Sequence, residues 1–154
     1  MIHIVQGSIF NSKAEALTVP VNCIGVAGAG LAKQFKLRYP DWFRSYKSLC
    51  SRGFMVIGGI QTHHLNDGRL IINFPTKFHW NDKSWIEGIS SGLAALTEYA
   101  KGCGLKSIAI PALGCGLGGL HWEEVRPLIE QAFESLPDIE VSLYPPDQMT
   151  IPNI

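Results

Sequence analysis

The chain has 154 residues, enough for one domain that buries roughly two thirds of its unfolded surface without covalent staples. Its 13 basic and 13 acidic side chains cancel, which excludes the overall positive field of a non-specific nucleic-acid binder. Hydrophobic residues at 46% and charged residues at 17% exclude a disordered or coiled-coil chain.

Cys23, Cys50, Cys103 and Cys115 form neither a C-x-x-C pair nor a zinc-like spacing with histidine, so no metal is expected. The N-terminus lacks a signal-peptide pattern and no apolar run reaches the ~18 residues that cross a membrane. A reducing cytoplasm is therefore the expected setting. Lys33, Lys36, Arg38, Arg44, Lys47 and Arg52 are opposed only by Asp41, a stretch that reads as a solvated helix face or, less simply, as a polyanion path.

In chain order, residues 2–5 alternate like an edge strand and residues 16–21 read as a buried strand. Residues 31–39 follow as a helix stopped by Pro40, and Asp41 is the expected N-cap of a second helix to about Ser51. On that helix Trp42, Phe43, Tyr46 and Leu49 share an apolar side. Residues 58–65 and 69–74 read as a hairpin about Asn66, Asp67 and Gly68, with Asp67 and Gly68 supplying positive φ angles. Residues 74–80 then begin where a strand ends.

Ser84 or Asp82 is expected to cap the longest helix, in which Ile86, Ile89, Leu93, Leu96 and Ala100 recur at helical spacing until Gly102 and Gly104. Residues 107–110 make a short buried strand. Trp122, Val125, Leu128, Ile129, Ala132 and Phe133 mark a last helix, with Pro127 expected near its first turn. Residues 138–144 alternate as a final strand, and Pro145, Pro146 and Pro152 predict an irregular tail over 146–154. Strands alternate with helices, so the expected architecture is a three-layer α/β/α sandwich on a mixed sheet, with one domain over 1–145.

Two glycine turns, Gly25-Val-Ala-Gly-Ala-Gly30 and Gly114-Cys-Gly-Leu-Gly-Gly119, each lie between a strand and a helical pattern. Such a turn presents backbone N–H groups at the positive end of a helix, where an anion is stabilised. Two in matching contexts point to a diphosphate. The first is not the dinucleotide fingerprint, since its glycines run G-x-x-G-x-G, nor a P-loop, since no Gly-Lys-Ser/Thr follows.

Asn22 precedes the first turn, where its carboxamide could bond a sugar hydroxyl or tie the loop to itself. Lys77 follows a strand end; a desolvated lysine beside another cation can attack a sugar anomeric carbon, whereas an ordinary lysine is simply solvated. His79 and Trp80 read as a hydrogen-bond donor and a base-stacking ring, or as half-buried packing. Cys23 and Cys115 read as small apolar groups, and His63 and His64 point to opposite faces of a strand.

The segments Val21-Asn-Cys-Ile-Gly-Val-Ala-Gly-Ala-Gly-Leu-Ala32, Ile72-Asn-Phe-Pro-Thr-Lys-Phe-His-Trp80 and Ile110-Pro-Ala-Leu-Gly-Cys-Gly-Leu-Gly-Gly-Leu-His-Trp122 together resemble a macrodomain, and within that superfamily the DarG-type antitoxin macrodomains. The resemblance runs from about Ile2 to Tyr144. It implies an ADP-ribose-binding fold and an ADP-ribosyl glycohydrolase that takes ADP-ribose off the bases of single-stranded DNA.

 Gly25, Val26, Gly28, Gly30 and Leu31 with Gly114, Cys115, Gly116, Leu117, Gly118 and Gly119 would hold the diphosphate and distal ribose, with Asn22 near that ribose. Ser8, Ile9, Thr76 and Tyr144 would complete the ADP-ribose site, Lys77 matches the family's catalytic lysine, and His79, Trp80 and His121 would touch the DNA.

The resemblance further implies a DarT-type ADP-ribosyltransferase toxin as partner, ADP-ribose as product, no cofactor and a monomer. Three positions depart from the family pattern: Ser8 and His121 stand where Asp is usual, and Ala29 where Lys is usual. These departures keep two alternatives in view, a non-hydrolytic binder of ADP-ribose or a related NAD metabolite and an ADP-ribose 1″-phosphate phosphatase. The sequence fits an excised domain of a longer antitoxin or a free-standing relative.

Overall fold

The computed structural model describes residues 1–146, so the expected tail lies outside the described residues apart from Pro146. Six strands form one mixed sheet: β1 (Ile2–Ile4), β2 (Ala16–Asn22), β3 (Gln61–His64), β4 (Leu70–Lys77), β5 (Ser107–Pro111) and β6 (Glu140–Tyr144). Their spatial order is β1-β6-β5-β2-β4-β3, with only β3 antiparallel to its neighbour. Helices α1 (Gly30–Arg38) and α2 (Pro40–Ser51) cover one face, and α3 (Ile86–Cys103) and α4 (Trp122–Phe133) cover the other. The three-layer α/β/α sandwich expected from the alternation of strands and helices is present.

Period-two alternation assigns each strand residue to a layer. Leu17, Val19, Val21 and Ile71 pack with Phe35, Trp42 and Tyr46 of the α1/α2 layer. Ile72, Phe74, Ile108 and Ile110 pack with Ile89, Leu93, Leu96 and Ile129 of the α3/α4 layer. The fit on that side is close: a Cβ on Gly92 would lie 2.4 Å from the Phe74 ring. Only glycine lets α3 approach β4 so nearly.

The α2 aromatics also set the sheet's working end. Trp42 and Tyr46 stack with ring centroids 5.3 Å apart, and both are fully buried. Trp42 Nε1 donates to Asn73 Oδ1 on β4 at 2.8 Å, while the Tyr46 hydroxyl donates to Asn22 at the end of β2. One apolar pair thus positions the two strands that lead into the first glycine turn and Lys77.

Several local expectations are corrected. Tyr39 occupies the N-cap of α2 and Pro40 its first turn, so Asp41 is a first-turn acid that favours the helix dipole and not the cap. In the β3–β4 turn, Leu65 O accepts from Gly68 N at 3.0 Å and only Gly68 has positive φ, so Asp67 keeps an ordinary conformation. Trp85 is the N-cap of α3, with no side-chain cap; Asp82 instead accepts from His79 N and Ser84 packs under the second glycine turn. Gly102 stays inside α3, and Gly104 in the left-handed region ends it.

Pro127 lies inside α4, beyond its first turn, because α4 already begins at Trp122. The strand before Lys77 does not stop at Phe74: β4 runs through Lys77. Pro75 still pairs in register with Val21 of β2, but β3 reaches β4 only as far as Asn73, so one side of β4 is without a paired strand at the proline. Among the described residues no helix is long and apolar enough to cross a membrane.

Candidate functional site

β2 and β5 lie side by side but pair only at Ala16–Ile108 and Leu17–Ala109. Beyond those rungs β2 continues to Asn22 and β5 to Pro111, so the ladder opens toward the carboxyl ends of both strands. The chain passes from β2 to β4 on one side and returns from β4 to β5 on the other. An open α/β sheet binds its ligand at such a switch point.

Both glycine turns hang over this opening. A Cβ on Gly30 would lie 4.0 Å from Leu117 Cδ1, so the two loops come within side-chain reach of each other. The first leads directly into α1 at Gly30. The second does not lead directly into α4: Gly116–Gly118 form one 3-10 turn, and Gly119, Leu120 and His121 intervene before Trp122. The expected symmetry of the two turns therefore holds for their position and not for their connection.

Asn22 resolves toward the loop-tying role. Its Oδ1 accepts from the N–H groups of Ile24, Gly25 and Val26 at 3.1, 3.1 and 3.3 Å and from the Tyr46 hydroxyl at 2.8 Å. Its Nδ2 donates to Val26 O at 2.8 Å. The carboxamide is a hub that sets the loop's curvature, and one amide hydrogen remains for any ligand. Cys23 N donates to Phe78 O at 2.8 Å, which ties this loop to the residue after Lys77.

The second loop is built from backbone. Gly114, Gly116 and Gly119 all have positive φ, and Gly118 N and Gly119 N bond to Cys115 O and Gly116 O. The N–H groups of Gly116 and Leu117 have no backbone partner among the described residues. They are donors of the kind that an anion recruits.

Lys77 closes β4 at the same end of the sheet and is half-buried. Its pKa is pushed down, first by burial, then by the like charge of Lys83, against the pull of Asp82. Lys83 Nζ lies 3.5 Å from Leu117 O, and its Cδ would be 3.3 Å from a Cβ on Gly119. A cation thus rests on the second loop while lowering the basicity of the lysine beside it. The sequence reading overlooked Lys83 and took Asp82 only as a candidate helix cap, although both stand within six positions of Lys77 in a turn-forming stretch.

The other expected residues divide by position. Ser8, exposed, accepts from Phe10 N at 3.2 Å and caps the short 3-10 turn after β1, where Ile9 is buried. Thr76 and Tyr144 are buried at the ends of β4 and β6. His79 is engaged locally, with Nδ1 accepting from Asn81 N at 3.1 Å and its ring 5.1 Å from that of Trp80. His121 is exposed at the N-cap of α4 without a side-chain cap bond. The Cys23 thiol is pushed up by burial, and burial with nearby Glu123 raises Cys115 to about 11, which suits packing and not attack.

A family model described as Macro domain matches residues 19–129 of the chain. A Mycobacterium tuberculosis protein named DNA ADP-ribosyl glycohydrolase is 42% identical over 149 residues, which are 95% of this chain and 42% of that protein. The solved macrodomain of Mycobacterium tuberculosis DarG superposes with a TM-score of 0.93 at 42% identity, over 96% of this chain and 99% of that one. The solved structure titled Thermosipho africanus DarTG in complex with ADP-ribose gives a TM-score of 0.89 at 38% identity, over 94% of this chain and 41% of that one. This chain spans about two-fifths of the length of the curated relatives it matches first.

Proposed function

Because the chain belongs to the macro domain family, we propose that it binds ADP-ribose across the two glycine loops and hydrolyses the N-glycosidic bond that joins this group to a DNA base. The observation that carries the reading is Lys77 at the end of β4, in register with Asn22 at the start of the first loop and depressed in pKa by burial and by Lys83, which itself lies against the second loop. The free N–H groups of Gly116 and Leu117 and the N-terminus of α1 suit the diphosphate. Asn22 acts mainly by shaping the first loop, with its remaining amide hydrogen toward the distal ribose.

Neutral Lys77 adds its Nζ lone pair to the anomeric carbon of that ribose. The carbon–nitrogen bond to the base breaks, its electron pair leaves with the base nitrogen, and the proton shed by Nζ neutralises the departing base. Water then attacks the anomeric carbon, the bond to Nζ breaks, and ADP-ribose leaves with the free amine restored. Water is the only co-reactant. His79, Trp80 and His121 belong to the substrate-facing rim, and a DarT-type ADP-ribosyltransferase is the source of the modified base.

The test is incubation with single-stranded DNA carrying ADP-ribose on thymidine or guanosine. Release of ADP-ribose and restoration of unmodified DNA are expected, and neither is expected from Lys77→Ala. A second reading, an ADP-ribose binder without turnover, draws on Ser8, a hydroxyl where the family usually has a carboxylate, with one lone pair already accepting from Phe10 N. Tight ADP-ribose binding by calorimetry with no release from any DNA would select it.

A further inference from the structure

Exposed apolar side chains concentrate at the crevice end of the sheet. Phe54 is 49% exposed, Val56 54%, Phe78 62% and Trp80 53%, although each could have been polar at no cost to the core. A soluble domain leaves such a patch open where something covers it. Phe78 immediately follows Lys77 and accepts from Cys23 N at 2.8 Å, and Cys23 packs in one apolar cluster with Met55 and Ile57 of the segment that carries Phe54 and Val56. Arg52 holds its guanidinium 4.8 Å from the Phe54 ring centroid.

Charge is distributed to match. Arg52 and Lys47 stand on the α2 side of the crevice, beside the patch, whereas Glu123 and Glu124 occupy the first turn of α4 across it. With Lys77 and Lys83 at the site itself, a polyanion leaving it is drawn over the aromatic side and repelled from the first turn of α4. Rings combined with few cations suit unpaired bases, which stack on aromatic faces and on guanidinium planes; a duplex offers chiefly phosphates and would need a wider basic field.

We propose that Phe54, Val56 and Phe78, with Arg52 at their edge, form a track on which the unmodified nucleotides flanking the target base of single-stranded DNA stack. The inference rests on the DNA-linked reading of the site and adds the path by which the strand leaves it. It makes substrate length matter: a trinucleotide fills the crevice alone, whereas a 20-mer also reaches Phe54.

The experiment compares ADP-ribosylated trinucleotide and 20-mer as substrates for the unsubstituted protein, Phe54→Ala and Arg52→Ala. Phe54→Ala should raise KM for the 20-mer about fivefold or more, leaving kcat and the trinucleotide KM within about twofold. Arg52→Ala should flatten the salt dependence of the 20-mer by about one phosphate contact. An unchanged ratio of 20-mer to trinucleotide KM, or equal use of a 20-mer in duplex form, overturns the track. Anisotropy with the same oligonucleotides in a Lys77→Ala background reads binding without turnover. Length-dependent affinity lost on Phe54→Ala supports the track even if the protein releases nothing, an outcome that rejects only the hydrolase reading; affinity independent of length overturns the track.

Discussion

The loop between β2 and α1 and the loop between β5 and α4 are both glycine-rich and both follow central strands, yet different forces hold them. In the first, one buried carboxamide gathers three backbone N–H groups, a carbonyl and a phenol. In the second, three glycines with positive φ let the backbone bond to itself, and among the described residues the hydrogen bonds from outside the loop come from Lys83 and Ser84. Ser84 contributes through its backbone, donating to Gly118 O at 2.9 Å, while its hydroxyl has no partner among the described residues. A side-chain hub places a loop by chemistry at one position, whereas a backbone-built loop is sensitive to any added atom.

The largest effect separates both loops from the reagent between them. Lys77→Ala should lower turnover by at least about 100-fold while ADP-ribose affinity, measured by calorimetry, stays within about threefold. A matching collapse of affinity would make Lys77 part of the grip and dissolve the distinction.

Asn22→Ala strikes the hub of the first loop. Buried donors left without an acceptor cost about 1–3 kcal/mol apiece, so a stability loss of about 3 kcal/mol by chemical denaturation is expected, with ADP-ribose binding at least about tenfold weaker. Stability within about 1 kcal/mol of the unsubstituted protein would show that the glycines hold that loop by themselves.

Gly118→Ala tests the second loop by volume, since its new Cβ would sit 2.6 Å from the Ser84 hydroxyl. Overpacking should cost about 1–3 kcal/mol, and adding Ser84→Ala should recover most of it because that hydroxyl has no hydrogen bond to lose. Additive losses in the double variant would place the strain elsewhere.

The smallest effects are shifts of the pH profile. A lysine must be neutral to attack, so the rate rises as pH climbs through the Lys77 pKa. Lys83→Gln removes the like charge that depresses this pKa, and the rising limb should move to higher pH. Asp82→Asn removes the carboxylate that supports the ammonium, and the limb should move to lower pH. Movement of both in one direction would exclude direct electrostatic control of Lys77.

Legibility followed the range of each interaction. The strands, the helices and the apolar faces of α2 and α3 were readable because their periodicity lies in neighbouring residues. Helix starts were misread at Asp41, Asp82 and Ser84, since a polar residue near a helix marks a cap only if its side chain is not already engaged or buried. Tyr46 read as a core aromatic, and its hydroxyl on Asn22 was invisible because 24 positions separate them. Lys83 was passed over for the same reason: its proximity to Leu117 spans 34 positions.

Composition and short-range pattern were enough to establish the α/β alternation, the two glycine turns and a lysine between them, for these depend on backbone preferences that act within a few residues. Folding decided that β2 and β5 part after two rungs, that one turn is held by a carboxamide and the other by its own backbone, and that a second cation sits beside Lys77. Those outcomes depend on contacts between segments far apart in the chain, where packing and electrostatics in three dimensions override local preference.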